Sequence, residues 1–106
     1  MEDLTSEGIG KTLRAMRRHR KEPLRVVAAA IDIDSTLLSK IERGERLPTG
    51  TQVSNLARYF DVSVEELEAQ VIAERIVAEY GSEAATLRAL SIVRERMSKY
   101  GEETSE

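Results

Sequence analysis

The sequence predicts an all-α chain in which five short helices form an N-terminal domain and a sixth belongs to a C-terminal helical extension. Three observations carry that expectation. Apolar residues recur three and four positions apart in successive stretches, the period of a helix that buries one stripe. Asp34, Thr49 and Ser63 each stand just ahead of such a stretch, where a side-chain oxygen accepts from the unpaired N–H groups of a helix start. A length of 106 residues leaves room for one domain and one further helical element.

Met1 to about Glu7 reads as a frayed tail with Ser6 as a candidate cap. Helix one is expected from about Ile9 to Arg20, turning Ile9, Leu13 and Met16 inward and Lys11, Arg14, Arg18 and Arg20 outward. His19 lies in the basic run Arg17-Arg18-His19-Arg20-Lys21 and reads as a solvent-facing residue. Lys21-Glu22-Pro23 makes the first loop, and Pro23 suits a helix start because its missing N–H has no partner there to lose. Helix two covers about Leu24 to Ile31, with Val27 and Ile31 four apart and Ala28 between them. Asp34 then caps helix three, Ser35 to Arg43, in which Leu38 and Ile41 face inward and Gly44 supplies a left-handed C-terminal cap.

Two short helices meeting at a tight corner form the helix-turn-helix arrangement of DNA-binding proteins. Counted from Leu24, the fourth, eighth, tenth, fifteenth and eighteenth positions are Val27, Ile31, Ile33, Leu38 and Ile41, all apolar, and the fifth is the small Ala28. Helix three then becomes the candidate recognition helix. Ser35, Thr36, Leu37, Ser39 and Lys40 remain outside its buried stripe and are the candidates for base readout. The hydroxyls offer donors and acceptors, Lys40 suits guanine O6/N7 or a phosphate, and Leu37 suits a thymine methyl or a protein contact. The start of helix two, at Leu24 and Arg25, is a candidate phosphate contact, since helix starts attract anions. The alternative is a small polar helix face with no part in readout.

From Ile9 to Leu67 these features resemble the phage-repressor/Cro superfamily of Xre-type regulators, with Arg17, Glu42-Arg43-Gly44, Pro48, Leu56-Ala57 and Asp61-Val62-Ser63 at matching distances. The resemblance implies a lambda-repressor-like domain over residues 8–67. It also implies that Arg17 pairs with Glu42, tying helix one to the end of helix three, against the alternative of a solvated arginine. Arg43 and Arg46, in and after the Glu-Arg-Gly turn, are implied to touch the sugar-phosphate backbone, with Glu45 opposing them. Two departures stand out. Asp32 occupies the corner position where the family usually has glycine, and Asp tolerates left-handed dihedrals better than most residues. Leu24 replaces a frequent glutamine, which removes a side-chain hydrogen bond but leaves the backbone. The stretch from Pro23-Leu24-Arg25 onward is similar to small Xre-type regulators encoded beside DNA-modification and restriction genes, implying self-regulating control of neighbouring genes.

Thr49 and Gln52 have the form of a capping box for helix four, which runs to about Phe60 with Val53, Leu56, Ala57 and Phe60 inward. Asp61-Val62 makes the next turn, Ser63 and Glu66 repeat the capping pattern, and helix five starts at Val64. Residues 68–100 are expected to form a dimerisation extension. Val71, Ile72, Ile76, Val77 and Tyr80 continue helix five on more than one side, Gly81 stops it, and Ser82 caps a sixth helix. Leu87, Leu90, Val93, Met97 and Tyr100 make one stripe on that helix, flanked by Ile92. Such a hairpin does not bury its own apolar surface, so a homodimer is expected through Val71, Ile72, Ile76, Tyr80, Leu87, Leu90, Val93 and Met97. The alternative is an extension folded back on helices one and five. Residues 101–106 read as a disordered tail.

The net charge of −3 is unevenly distributed. Eleven Lys and Arg face five acids between Ile9 and Phe60, whereas from Asp61 onward five bases face eleven acids. Screening over about 8–10 Å keeps these fields separate, so the basic part suits phosphate despite the overall sign. No cysteine and one histidine leave nothing from which to build a disulfide framework, a zinc site or histidine catalysis. No metal or cofactor is expected, and no nucleophile-base pair or phosphate-cradling loop points to an enzyme. No apolar run approaches a membrane span and the N-terminus is acidic, so a soluble cytoplasmic protein is expected. The leading expectation is a dimeric, sequence-specific binder of double-stranded DNA acting as a repressor or controller. The alternatives are the antitoxin of a toxin-antitoxin pair, its tail embracing a protein toxin, and a protein-interaction module on the same fold.

Overall fold

The computed structural model describes residues 8–104. The expected tail Met1 to Glu7, with its cap at Ser6, and the last two residues lie outside the described residues. Six helices follow in order among the described residues: α1 Ile9–His19, α2 Leu24–Ala30, α3 Ser35–Glu42, α4 Gly50–Phe60, α5 Val64–Tyr80 and α6 Ala84–Thr104. The chain divides into two units, Met1–Glu74 and Arg75–Glu106.

Local chemistry sets most boundaries in the first unit. Asp34 caps α3 by accepting from the Leu37 N–H at 2.7 Å. Thr49 and Gln52 close a full capping box on α4, the Thr49 hydroxyl accepting from the Gln52 N–H at 3.2 Å and the Gln52 side-chain Oε1 from the Thr49 N–H at 3.0 Å. Ser63 accepts from the Glu66 N–H at 3.1 Å at the start of α5.

The first four helices end in one shared motif. Beyond each, a left-handed residue donates to the carbonyl three back and its successor to the carbonyl five back, the paired bonds of a Schellman cap. For α3 these are Gly44 to Ile41 and Glu45 to Lys40; for α2, Asp32 to Ala29 and Ile33 to Ala28. Gly44 has φ 77°, while Lys21, Asp32 and Asp61 hold φ of 57°, 60° and 56° after α1, α2 and α4. Asp32 therefore does what a glycine would do in the corner. Nothing in the sequence marks Lys21 for this role, and as a β-carbon-bearing residue it is strained there. Lys21→Gly is expected to raise stability by about 1 kcal/mol, read as a higher urea midpoint.

These turns fold the apolar stripes of the first unit onto one core. Ile9, Leu13, Val27, Ala28, Ile31, Leu38, Ile41, Val53, Leu56, Ala57, Phe60, Leu67 and Val71 are buried, with Met16, Leu24, Ile33, Leu37, Leu47 and Tyr59 packed partly against them. α3 packs on both α1 and α2. Gly10 permits this contact: a β-carbon there would lie 2.5 Å from the Ile41 carbonyl oxygen and 2.6 Å from that of Glu42. The Glu74 carboxylate occupies the place of a side chain at Gly8, putting an anion at the positive end of α1.

In the second unit Gly81, at φ 72°, ends α5 with its N–H on the Val77 carbonyl at 2.9 Å. Ser82 falls within that turn and does not cap α6, which starts two residues later at Ala84. The far end of α6 also departs from the expected disordered tail. α6 continues through Gly101 to Thr104, because a single glycine weakens a helix by only about 1 kcal/mol and no proline stops it. Leu87, Leu90, Val93, Met97 and Tyr100 are exposed along α6, as are Ile72, Val77 and Tyr80 on α5. No helix among the described residues is long and apolar enough to cross a membrane.

Candidate nucleic-acid interface

The inner face of α3 is closed, since Leu38 and Ile41 are fully buried against the core. Its outer face presents Ser35, Thr36 and Lys40 to solvent and Ser39 at half burial. Leu37 is different: it is half-buried and packs against the core, so its methyl groups serve the fold more than the surface. The polar members of the predicted readout set therefore share one exposed face, and the apolar member is partly withdrawn.

Around this face the predicted phosphate contacts divide in the same manner. Arg25, Arg43 and Arg46 are exposed, while Leu24 is half-buried against the core. Arg43 Nε lies 2.6 Å from Glu45 Oε2. Both side chains are more than half exposed, so the pair adds little to stability. It does place an anion beside one of the expected phosphate contacts.

A buried ion pair sets where the end of α3 sits. Arg17 donates from Nε and Nη2 to the two carboxylate oxygens of Glu42 at 2.7 and 2.8 Å, and from Nη1 to the Glu22 carbonyl at 2.9 Å. The side chains are 11% and 5% exposed, so this forked pair is largely withdrawn from water, with every guanidinium nitrogen donating at least one bond. The hydrogen bond with Glu42 raises the Arg17 pKa further above its ordinary value, against the opposing effect of burial. One guanidinium thus ties α1, the α1–α2 loop and the last turn of α3 together.

A second network, at the α1–α2 loop, has no counterpart among the sequence expectations. Tyr59 of α4 donates its hydroxyl to Glu22 Oε2. Arg20 Nη1 donates to the Tyr59 carbonyl at 3.0 Å and stands 3.8 Å from Glu22 Oε1. Its guanidinium lies 5.2 and 5.1 Å from the ring centres of Tyr59 and Phe60. The hydrogen bond to Glu22 raises the Tyr59 pKa above its ordinary value, because losing the phenol proton would cost that bond and set two anions side by side.

A family model described as a helix-turn-helix domain matches residues 9–70. The chain belongs to the helix-turn-helix domain family. Among solved structures, two crystal structures of the clp gene regulator ClgR from Corynebacterium glutamicum are similar to it. One shares 25% identity at a TM-score of 0.53, over 68% of this chain and 94% of that one. The other shares 22% identity at a TM-score of 0.55, over 96% of this chain and 95% of that one, a likeness of fold. No curated protein matches. In this helix-turn-helix chain α2 and α3, which pack against each other, lie within the matched residues.

Of the residues expected at a dimer contact, Val71 is 7% exposed and belongs to the core of the first unit. The same one-turn spacing that continues the apolar pattern into the extension also points Val71 inward beside Leu67. Ile76 is half-buried, and Ile72, Tyr80, Leu87, Leu90, Val93 and Met97 are exposed. Ile76, Tyr80, Ala89, Leu90 and Val93 line an apolar groove of about 430 Å³ in the second unit. No group of His, Cys, Asp and Glu able to hold a metal ion occurs among the described residues.

Proposed function

We propose that this helix-turn-helix protein is a sequence-specific binder of double-stranded DNA that regulates transcription as a repressor or controller, a homodimer on a palindromic operator in the cytoplasm. Within the family its pattern favours the Xre-type, phage-repressor branch. The observation that carries the proposal is the exposed polar face of α3, held at its end by the buried Arg17–Glu42 pair and set in the basic half of the chain. Ser35, Thr36, Ser39 and Lys40 read base edges, with Lys40 the principal contact, and Arg25, Arg43 and Arg46 position the helix on phosphates. Similarity to a gene regulator supports the same assignment.

Support for the dimer comes from the extension. Eight large apolar side chains between Ile72 and Tyr100 stand exposed, more than a solvated helical hairpin ordinarily shows. A two-fold pair of recognition helices addresses half-sites about 34 Å apart. Selection of bound duplexes from a random pool is expected to return a palindrome. Affinity for it should fall linearly on a log scale with salt, by about 0.9 for each phosphate neutralised.

Lys40→Ala should weaken binding to the selected site by about 1–3 kcal/mol, leave melting unchanged, and relax the base preference at one position per half-site. Mobility-shift titrations check the affinity and repeated selection checks the preference. Wild-type affinity in the variant would remove Lys40 from readout. A protein that ignores every duplex at low ionic strength would remove the DNA-binding assignment as a whole.

A further inference from the structure

We infer that Glu22 and Tyr59 are positioning residues for DNA contact, a latch that holds the α1–α2 loop so that Arg25 meets phosphate in register with the recognition helix. This rests on the DNA-binding assignment above and adds residues that lie outside the helix-turn-helix itself.

Glu22 immediately precedes Pro23 and α2, and it is held at both ends. Its carbonyl accepts from Arg17, the same guanidinium that grips Glu42 on α3. Its carboxylate accepts from the Tyr59 hydroxyl on α4 and faces Arg20 of α1. Arg20 in turn bonds the Tyr59 carbonyl and lies over the Tyr59 and Phe60 rings, so Tyr59 is fixed through its ring, its main chain and its hydroxyl. The loop entering α2 is therefore referred to α1, α3 and α4 at once. Arg25 lies three residues beyond Glu22 and is exposed in the first turn of α2. Its distance from Lys40 depends on where this loop is held.

The latch also explains an acid next to the start of α2, in a stretch of chain that is mostly basic. A carboxylate here repels phosphate, so electrostatics alone predicts that removing it strengthens DNA binding. Positioning predicts the opposite. The two accounts differ in sign.

Tyr59→Phe removes the hydroxyl without changing charge, Glu22→Ala removes the acceptor and the charge, and Glu22→Gln removes the charge but keeps an acceptor. Binding is measured on the selected duplex over a range of salt, and amide exchange is measured on the free proteins. Tyr59→Phe and Glu22→Ala are expected to weaken binding several-fold and to lower the salt slope by about one for each phosphate that Arg25 no longer neutralises. The double variant should bind little more weakly than either single one, because both substitutions release the same loop. Glu22→Gln should bind as well as wild type or better. In the free Tyr59→Phe protein the Val26 and Val27 amides, which bond the Pro23 carbonyl at 3.1 and 3.5 Å, should exchange faster. Tighter binding by Glu22→Ala, or Tyr59→Phe with wild-type slope and exchange, overturns the latch. If wild type binds no duplex, the DNA assignment fails, and the exchange rates still show whether the loop is held from Tyr59.

Discussion

Arg17→Ala is expected to remove about 3–5 kcal/mol of folding stability, the loss typical when one partner of a buried ion pair is deleted. The cost comes from what is left behind. Glu42, with a side chain 5% exposed, would keep a carboxylate out of water with neither of its two guanidinium bonds, and the Glu22 carbonyl would lose its donor. For a domain whose total stability is about 5–15 kcal/mol, that loss is a large fraction. The melting temperature should fall by roughly 12 °C or more. Glu42→Ala should behave similarly, stranding Arg17 with the Glu22 carbonyl alone. Replacing both residues, as Arg17→Met with Glu42→Leu, should cost far less than the sum of the single changes, because no unpaired charge remains. Thermal melts of the two alanine variants and the double variant check this. Melting of both single variants at the wild-type temperature would mean that the pair contributes nothing to holding α3.

The second large effect is expected at Gly10. A methyl group there would stand 2.5 Å from the Ile41 carbonyl oxygen and 2.6 Å from that of Glu42. Both are main-chain atoms in the last turn of α3, so no side chain can rotate away and the two helices have to separate. Gly10→Ala would gain about 1 kcal/mol of helix propensity, and the overpacking is expected to exceed it, costing about 1–3 kcal/mol or more. The same displacement would shift the polar face of α3 and disturb the nearby Arg17–Glu42 pair, so on the proposed function DNA affinity should fall with stability. Gly50→Ala is the control, since nothing lies within 4 Å of the added methyl group. It should be neutral or stabilising by up to about 1 kcal/mol. Urea denaturation of both proteins measures the difference. Equal stability would show that α1 and α3 pass each other with room to spare.

Six helices and nearly all of their starts are legible in the sequence because the information is local. Asp34 reaches Leu37 and Thr49 reaches Gln52, each within three residues, so a cap is read from a short string. Periodicity likewise identifies most of the core, including Leu13, Val27, Leu38, Ile41, Leu56 and Phe60. Two expectations fail where local signals compete. Ser82 has a cap-forming side chain but is used up in the turn that Gly81 begins, and Gly101 lacks the second breaking residue needed to end α6. Val71 belongs to the core instead of the extension for a related reason: a helix apolar on several sides does not say which apolar residue faces which neighbour.

Gly10 does carry a signal. A glycine in the first turns of an otherwise regular helix costs about 1 kcal/mol and implies a close approach. Its partner, the α3 backbone about thirty residues away, has no such mark. The Glu22–Tyr59 latch has no signal at all, since a glutamate in a loop and a tyrosine at the rim of a helix are ordinary surface choices.

By itself the sequence determined the helical class, the order of the helices, the buried stripes and the polar face of α3, because each follows from interactions within a turn or two of chain. Tertiary structure alone decided which apolar residues of α5 become core, as Val71 does, and which stay exposed, as Ile72 does. It also decided how closely α1 passes α3 and what anchors the loop before α2. Those outcomes depend mainly on distances between residues on different helices, far apart in the chain, which are set by packing and not by any local preference.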